Sequence, residues 1–345
     1  MVLVSLSLSL STRGGLNVAD PKVLDQASGN DWSIWNGDCV DVMEGIPANS
    51  IAYAIWSPPF ASLYTFSDDP RDVSNNSDDR VFWEHYRWVI EGVYRVLKPG
   101  RLISIHVMDL PSSITRDGFI AMKDFPGLNI RLCQDVGFRY HSRVTIFKDP
   151  VVGMQRTKAL GLLHKQVVKD SAMSRMGIAD YIITFRKPGE NDEPIAGVLD
   201  TYYGDDQTDA EMSAEARAGW DRSGGRTWEQ HKSISIWQKV ASPVWHDIVQ
   251  NDTLSFRMAR EEHDERHISP LQLTPVRRCI QLWTNPGDIV LSPFAGIGTA
   301  GYVAIEMGRR FVGAELKASY YRQAVANLRT AERERGRTDL FDVAG

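Results

Sequence analysis

The 345-residue chain has room for one large domain or for a core carrying an insertion. Its 43% hydrophobic and 24% charged residues exclude a disordered or fibrous chain, and its formal net charge of −5 gives no overall attraction to nucleic acid. Three cysteines, Cys39, Cys133 and Cys279, stand far apart in no paired spacing; neither a disulfide framework nor a metal site is expected, and a reducing cytoplasm is the expected setting.

In chain order, residues 1–11 alternate Val or Leu with Ser, without a basic leader or a long apolar run. They read as a frayed or edge strand, not as a signal peptide or membrane span. Residues 32–36 form a short strand ending at Gly37-Asp38, and the apolar run 51–56 a second, closed by Ser57-Pro58-Pro59. Residues 61–80 are polar and aperiodic, a loop long enough for a lid or binding segment. Phe82, Tyr86, Val89, Ile90, Val93 and Leu97 recur at helical spacing and stop at Pro99-Gly100.

Residues 102–107 are a buried strand, 129–136 a helix ended by Gly137, 144–147 part of a strand, and 181–185 another. From Gly189 to His267 the alternation breaks down into a segment rich in Asp, Glu, Gly and Trp, read as an accessory insertion. The pattern then resumes with a helix over 271–283, a strand over 289–291, a helix over 299–307, a strand over 311–314 and a helix over 319–335 stopped by Gly336. Strands alternating with helices predict an α/β fold whose sheet is largely parallel, with helices on both faces.

Charge is segregated along the chain. Between Arg131 and Lys187 eleven basic residues face only Asp135, Asp149, Asp170 and Asp180. A solvated face is the simpler account of such a run.

Two turns carry the chemistry. In Ser292-Pro293-Phe294-Ala295-Gly296-Ile297-Gly298-Thr299 the glycines permit close backbone approach to a ligand. The next strand ends in Gly313-Ala314-Glu315, an acid about 20 residues on, which suits the hydroxyls of a ribose. The turn lacks a Lys-Ser/Thr pair, which argues against a phosphate loop. In Ser57-Pro58-Pro59-Phe60 two prolines remove backbone donors. Ser57 Oγ and the Pro58 carbonyl can therefore take the two N–H groups of an exocyclic amine while Phe60 stacks on the base.

With Asn36-Gly37-Asp38, the stretch 95–100 and the stretch 309–316, these motifs resemble the amino-methyltransferases that modify exocyclic amines of DNA bases using S-adenosylmethionine, in the β-type order with the catalytic half first. The resemblance spans about residues 31–335 and excludes most of 189–267. It implies a Rossmann-like, doubly wound, mostly parallel seven-stranded sheet. Its parts are a catalytic half (31–188), an accessory or target-recognition insertion (189–267) and a cofactor half (268–335). It further implies that Ser57, Pro58, Pro59 and Phe60 bind the target amine. Asp38 and Cys39 would hold the adenine of the cofactor, and Ser292, Pro293, Phe294, Ala295, Gly296, Gly298 and Thr299 its amino-acid end. Glu315, with Leu316, would hold its ribose.

Beside such a core the basic run reads as a DNA-contacting face through Arg156, Lys158, Lys165, Lys169 and Arg175. The expected partner is DNA, with no membrane and with a homodimer left open. Ser at position 57 is more typical of N4-cytosine than of N6-adenine enzymes in this family. Two departures stand out: Ser292 occupies the place of the usual Asp, and 267–273 lacks the usual Lys-Pro pair. An amine or amide methyltransferase acting on RNA or protein, and a silent DNA-binding subunit, are the other readings.

Overall fold

The computed structural model describes residues 23–59, 79–112, 118, 121–157, 160–204, 225, 227–255 and 270–342. Residues 1–11, Phe60, most of the loop 61–80, Lys158 and 267–269 therefore lie outside the described residues.

Strands β1 (Asp25–Ser28) and β2 (Trp32–Asn36) open the fold as an antiparallel pair, followed by helix α1 (Cys39–Glu44). Strand β3 (Ile51–Trp56), helix α2 (Asp79–Val96) and strand β4 (Leu97–Met108) come next. A two-stranded hairpin, β5 (Leu110–Pro111) with β6 (Met122–Lys123), leads to helix α3 (Phe125–Val136) and strand β7 (Arg139–Ile146). Helices α4 (Pro150–Thr157) and α5 (His164–Lys169) precede strand β8 (Asp180–Arg186). Helix α6 (Trp228–Val240) and strand β9 (Val244–Trp245) follow. Last come α7 (Leu273–Trp283), β10 (Ile289–Ser292), α8 (Thr299–Glu306), β11 (Arg310–Glu315) and α9 (Ala318–Asp342).

The strands form one sheet in the order β1-β2-β11-β10-β3-β4-β8-β7-β9. The five from β2 to β4 are mutually parallel, β8 is antiparallel to both its neighbours, and β7 returns to the common direction. The seven expected strands are thus present, with β1 and β9 added at the edges. All six residues of β3 are buried, as a central parallel strand requires. Ala54 and Trp56 face a core built with α1, α2 and α3, whereas Tyr53 and Ile55 face a second core built with α7, α8 and α9.

Strand order reverses between β10 and β3, which pair in register at Val290–Tyr53 and Leu291–Ala54. From β10 the chain crosses to β11 on one side, and from β3 to β4 on the other, so a crevice opens beyond their carboxyl ends.

Some boundaries differ from expectation for local reasons. Helix α3 starts four residues early because Asp124 Oδ1 accepts the Gly127 amide at 2.7 Å and Pro126 suits a first helical turn. Helix α9 runs through Gly336 instead of stopping there. A helix-interior glycine costs only about 1 kcal/mol relative to alanine, and the flanking Arg333, Glu334, Arg335 and Arg337 are good helix formers.

The described part of 189–267 packs onto the core. Arg278 Nε of α7 donates to the Tyr203 carbonyl at 2.6 Å, β9 pairs with β7, and Ile236, Val240, Trp245 and Ile248 join the second core. Because β8 runs antiparallel, this segment leaves the sheet at its amino-terminal edge, and β9, parallel to the end of β7, returns it to the carboxyl-terminal edge.

Candidate active site

The two turns leave neighbouring strands on the crevice side. On the β3 side, the Ser57 hydroxyl donates to the His106 carbonyl at 3.0 Å. A carbonyl only accepts, so the hydroxyl hydrogen is spent there and Ser57 meets any further partner as an acceptor. Pro58 is buried and, like Pro59, offers a carbonyl without an amide N–H.

On the β10 side, Gly296 and Gly298 hold φ of +56° and +85°, values that favour glycine. A β-carbon at Gly296 would meet nothing within 4 Å, whereas one at Gly298 would stand 3.2 Å from Ala324. The turn is pinned from within by Ala295 N to Ala314 O at 2.9 Å and by Ser292 Oγ to Phe294 O at 3.1 Å. Ser292 is buried, and its hydroxyl braces the turn. Thr299, also buried, opens α8.

Glu315 sits where the strand ends converge. Its Oε2 accepts the Gly296 amide at 2.8 Å and its Oε1 the Lys317 amide at 2.9 Å. A carboxylate can accept about four hydrogen bonds, so these two orient it without by themselves exhausting it. Asn36 Nδ2 donates to the carbonyls of Glu315 and Leu316, both at 2.8 Å, and the Gly37 amide donates to Glu315 O at 3.2 Å. Asp38 caps α1 by accepting the Val40 amide at 2.8 Å, which places Cys39 in the first turn. Burial, with the nearby carboxylates of Asp38 and Glu315, pushes the Cys39 thiol well above its ordinary pKa. Cys133 and Cys279 are likewise buried and raised, Cys279 to about 12, so none of the three is a thiolate nucleophile near neutral pH.

One side chain joins the turns. Tyr86 of α2 accepts the indole N–H of Trp56 at 3.1 Å, and its ring centroid lies 6.3 Å from that of Phe294. Trp56 immediately precedes Ser57, and Phe294 lies inside the glycine turn. Residues more than 200 positions apart therefore back onto one helix. Phe60 itself lies outside the described residues.

Sequence reasoning placed none of Asn36, Tyr86, His106 or Asp180 among the candidate site residues. Asp180 is buried, with Lys148 Nζ at 2.5 Å and His106 Nε2 at 3.2 Å, the latter without hydrogen-bond alignment. Burial alone raises its pKa, but His106 and Lys148 outweigh that and hold the carboxyl below its ordinary value. The stabilisation is therefore complete above the unfolded carboxylate pKa and is lost as pH falls through the lower folded one. The signal for Asp180 was its isolation in a basic run just before an apolar strand.

The basic residues divide. Lys165 and Lys169 are exposed on α5, while Arg175 is half-buried with its guanidinium on the Met176 carbonyl at 3.2 Å. Arg156 lies in α4, and nothing is described of its side chain or of Lys158. Lys187 is a buried structural cation, donating to Asn49 Oδ1, Tyr94 O and Leu97 O at 2.6–2.8 Å. Among the described residues no helix is long and apolar enough to cross a membrane.

A family profile for DNA methylases matches residues 51–326, from β3 into α9. The Type II methyltransferase M.BglII of Bacillus subtilis is 25% identical over 296 residues, covering 83% of this chain but 66% of that protein, just under two thirds of its length. The solved structure of TTHA0409 from Thermus thermophilus, in complex with S-adenosyl-L-methionine, aligns with a TM-score of 0.56 at 21% identity. That alignment covers 86% of this chain and 92% of that one. The cytosine-N4-specific PvuII DNA methyltransferase aligns with a TM-score of 0.54 at 16% identity, covering 88% and 87%. At these identities the structures share the fold. The extent of the profile match settles membership: the chain belongs to the N6/N4 DNA methylase family.

Proposed function

We propose that the chain transfers a methyl group from S-adenosylmethionine to the exocyclic amine of a flipped DNA base, with cytosine N4 as the acceptor. The single observation that supports the reading is that the acceptor-only Ser57 and the glycine turn bound to Glu315 follow adjacent parallel strands, β3 and β10, on the same edge of the sheet.

The residues present suit the cofactor. The space beside Gly296 admits its amino-acid end, with Phe294, Gly298 and Thr299 around it. The Glu315 carboxylate, oriented by two amides, takes ribose hydroxyls, and Asp38 with Cys39 borders the adenine. When bound, the cofactor supplies a sulfonium-activated methyl whose C–S bond breaks as the new N–C bond forms. Ser57 Oγ and the Pro58 carbonyl accept the two amine N–H groups, drawing the nitrogen towards tetrahedral geometry and freeing its lone pair from the ring. Phe60 stacks on the base, and the cationic nitrogen formed by transfer gives up one proton to solvent water. Catalysis is then positioning and electrostatic preorganisation, without a covalent enzyme intermediate. Cytosine is assigned because Ser, not Asp or Asn, leads the tetrapeptide.

The test is mass spectrometry of nucleosides from unmodified DNA incubated with the chain and S-adenosylmethionine. N4-methyldeoxycytidine is expected. N6-methyldeoxyadenosine alone overturns the base and keeps the enzyme, and methylation of RNA or protein alone overturns the DNA reading. Phe60→Ala should lower transfer about 10- to 100-fold, the worth of one base stack, with cofactor affinity nearly unchanged.

A further inference from the structure

The excursion 147–179, between β7 and β8, starts and ends at the carboxyl-terminal edge of the sheet, where Ile146 pairs with Asp180. Its foot is tied to the catalytic turn by a short chain of contacts: Lys148 to Asp180, Asp180 to His106, and the His106 carbonyl to Ser57. The segment is folded, not merely long. Helix α5 packs on the 3-10 turn Ser171–Met173, and the Arg175 amide donates to Gly161 O at 3.0 Å.

Its surface is unusual for a loop. Six of the twelve large apolar side chains exposed among the described residues fall between 147 and 176. Val168, Met173 and Met176 are 74%, 56% and 82% exposed, beside the exposed Lys165 and Lys169. The segment's two acids, Asp149 and Asp170, are exposed and each caps a local amide: Asp149 accepts the Val151 amide at 2.7 Å and Asp170 the Ala172 amide at 3.1 Å. What faces out is largely apolar, with Lys165 and Lys169 as exposed cations and both carboxylates engaged on backbone amides. Such a surface suits a duplex, whose phosphates take the lysines and whose separated base steps take apolar side chains.

We propose that this excursion is the wedge of the enzyme: Met173 and Met176 enter the duplex at the space left by the flipped base, while Lys165 and Lys169 hold the flanking phosphates. The inference rests on the DNA-methylating reading above and adds to it the element that opens the helix. Methionine suits the task because its unbranched, polarizable side chain adapts to an irregular gap.

The experiment uses the full chain and two oligonucleotide duplexes carrying a site it methylates, one fully paired and one with an abasic residue opposite the target base. The abasic duplex removes part of the flipping cost. For the Met173→Ala/Met176→Ala double variant, the ratio of paired to abasic-opposed rates should fall at least about tenfold, reflecting the few kcal/mol of unstacking. The Met173→Leu/Met176→Leu variant should restore the ratio. Lys165→Gln/Lys169→Gln should slow both substrates alike and flatten the salt dependence. An unchanged ratio in the double Ala variant overturns the wedge, as does a dimer of the free chain that those substitutions dissociate. Failure of the unaltered chain to methylate any DNA overturns the DNA reading, and the wedge with it.

Discussion

At the amino-terminal edge of the sheet the fully buried Arg101 donates to the Ala52 carbonyl at 3.0 Å, the Glu193 carbonyl at 2.9 Å and the Asp288 carboxylate. At the carboxyl-terminal edge the polar groups are arranged differently. Ser57 uses its hydrogen on the protein and presents lone pairs, and Glu315 is oriented by two amides around an open glycine turn. The Arg101 cluster satisfies its charges within the fold, whereas Ser57 and Glu315 are the acceptors assigned above to substrate and cofactor. Substitutions should therefore separate into those that cost stability and those that cost transfer.

The largest effect is expected at the closed edge. Arg101→Met removes the cation, leaves Asp288 buried without it, and should lower unfolding free energy by about 3–5 kcal/mol in denaturant titration. Methyl transfer per folded molecule should stay the same. A fall in turnover of the folded fraction would join the two edges and end the comparison.

Ser57→Ala is the converse case. Loss of one positioned polar group at the reacting atom should lower the transfer rate about 100-fold, with little change in stability and none in cofactor affinity. An unchanged rate would leave the Pro58 carbonyl as the sole acceptor. Next in size, Glu315→Ala should weaken S-adenosylmethionine binding by about 1–3 kcal/mol in calorimetry. An unaltered dissociation constant would remove Glu315 from the cofactor site.

The same contrast explains what could be read from the chain. The apolar runs of β3 and β10 announce buried strands, and the prolines and glycines that follow announce their turns, because both signals are local. Tyr86 was legible as core and is core. That it also backs both turns depends on Trp56 and Phe294, one 30 positions away and the other more than 200. The partners Arg101–Asp288 and Asn36–Glu315 are separated by 187 and 279 positions, and nothing in spacing chooses them. Helix α1 escaped notice because six residues carry no periodicity; its start is set by the Asp38 cap. The apolar half of the excursion 147–179 was hidden behind its charges, since only exposure distinguishes Met176 from a core methionine.

The smallest expected effect is a comparison inside the glycine turn. Both glycines sit at positive φ, where a β-carbon costs about 1–2 kcal/mol. Gly298→Ala adds a contact of 3.2 Å with Ala324, so α9 or the start of α8 must yield, and stability should fall by more than the backbone term. Gly296→Ala adds no such contact and should be the milder change in thermal unfolding. Cofactor affinity should run the other way, because the open space beside Gly296 is the space assigned to the ligand while that beside Gly298 is filled by α9. Calorimetry on the pair therefore reads the turn directly. If Gly298→Ala weakens S-adenosylmethionine more than Gly296→Ala does, the ligand does not occupy the mouth of this turn, and Glu315 is oriented for another purpose.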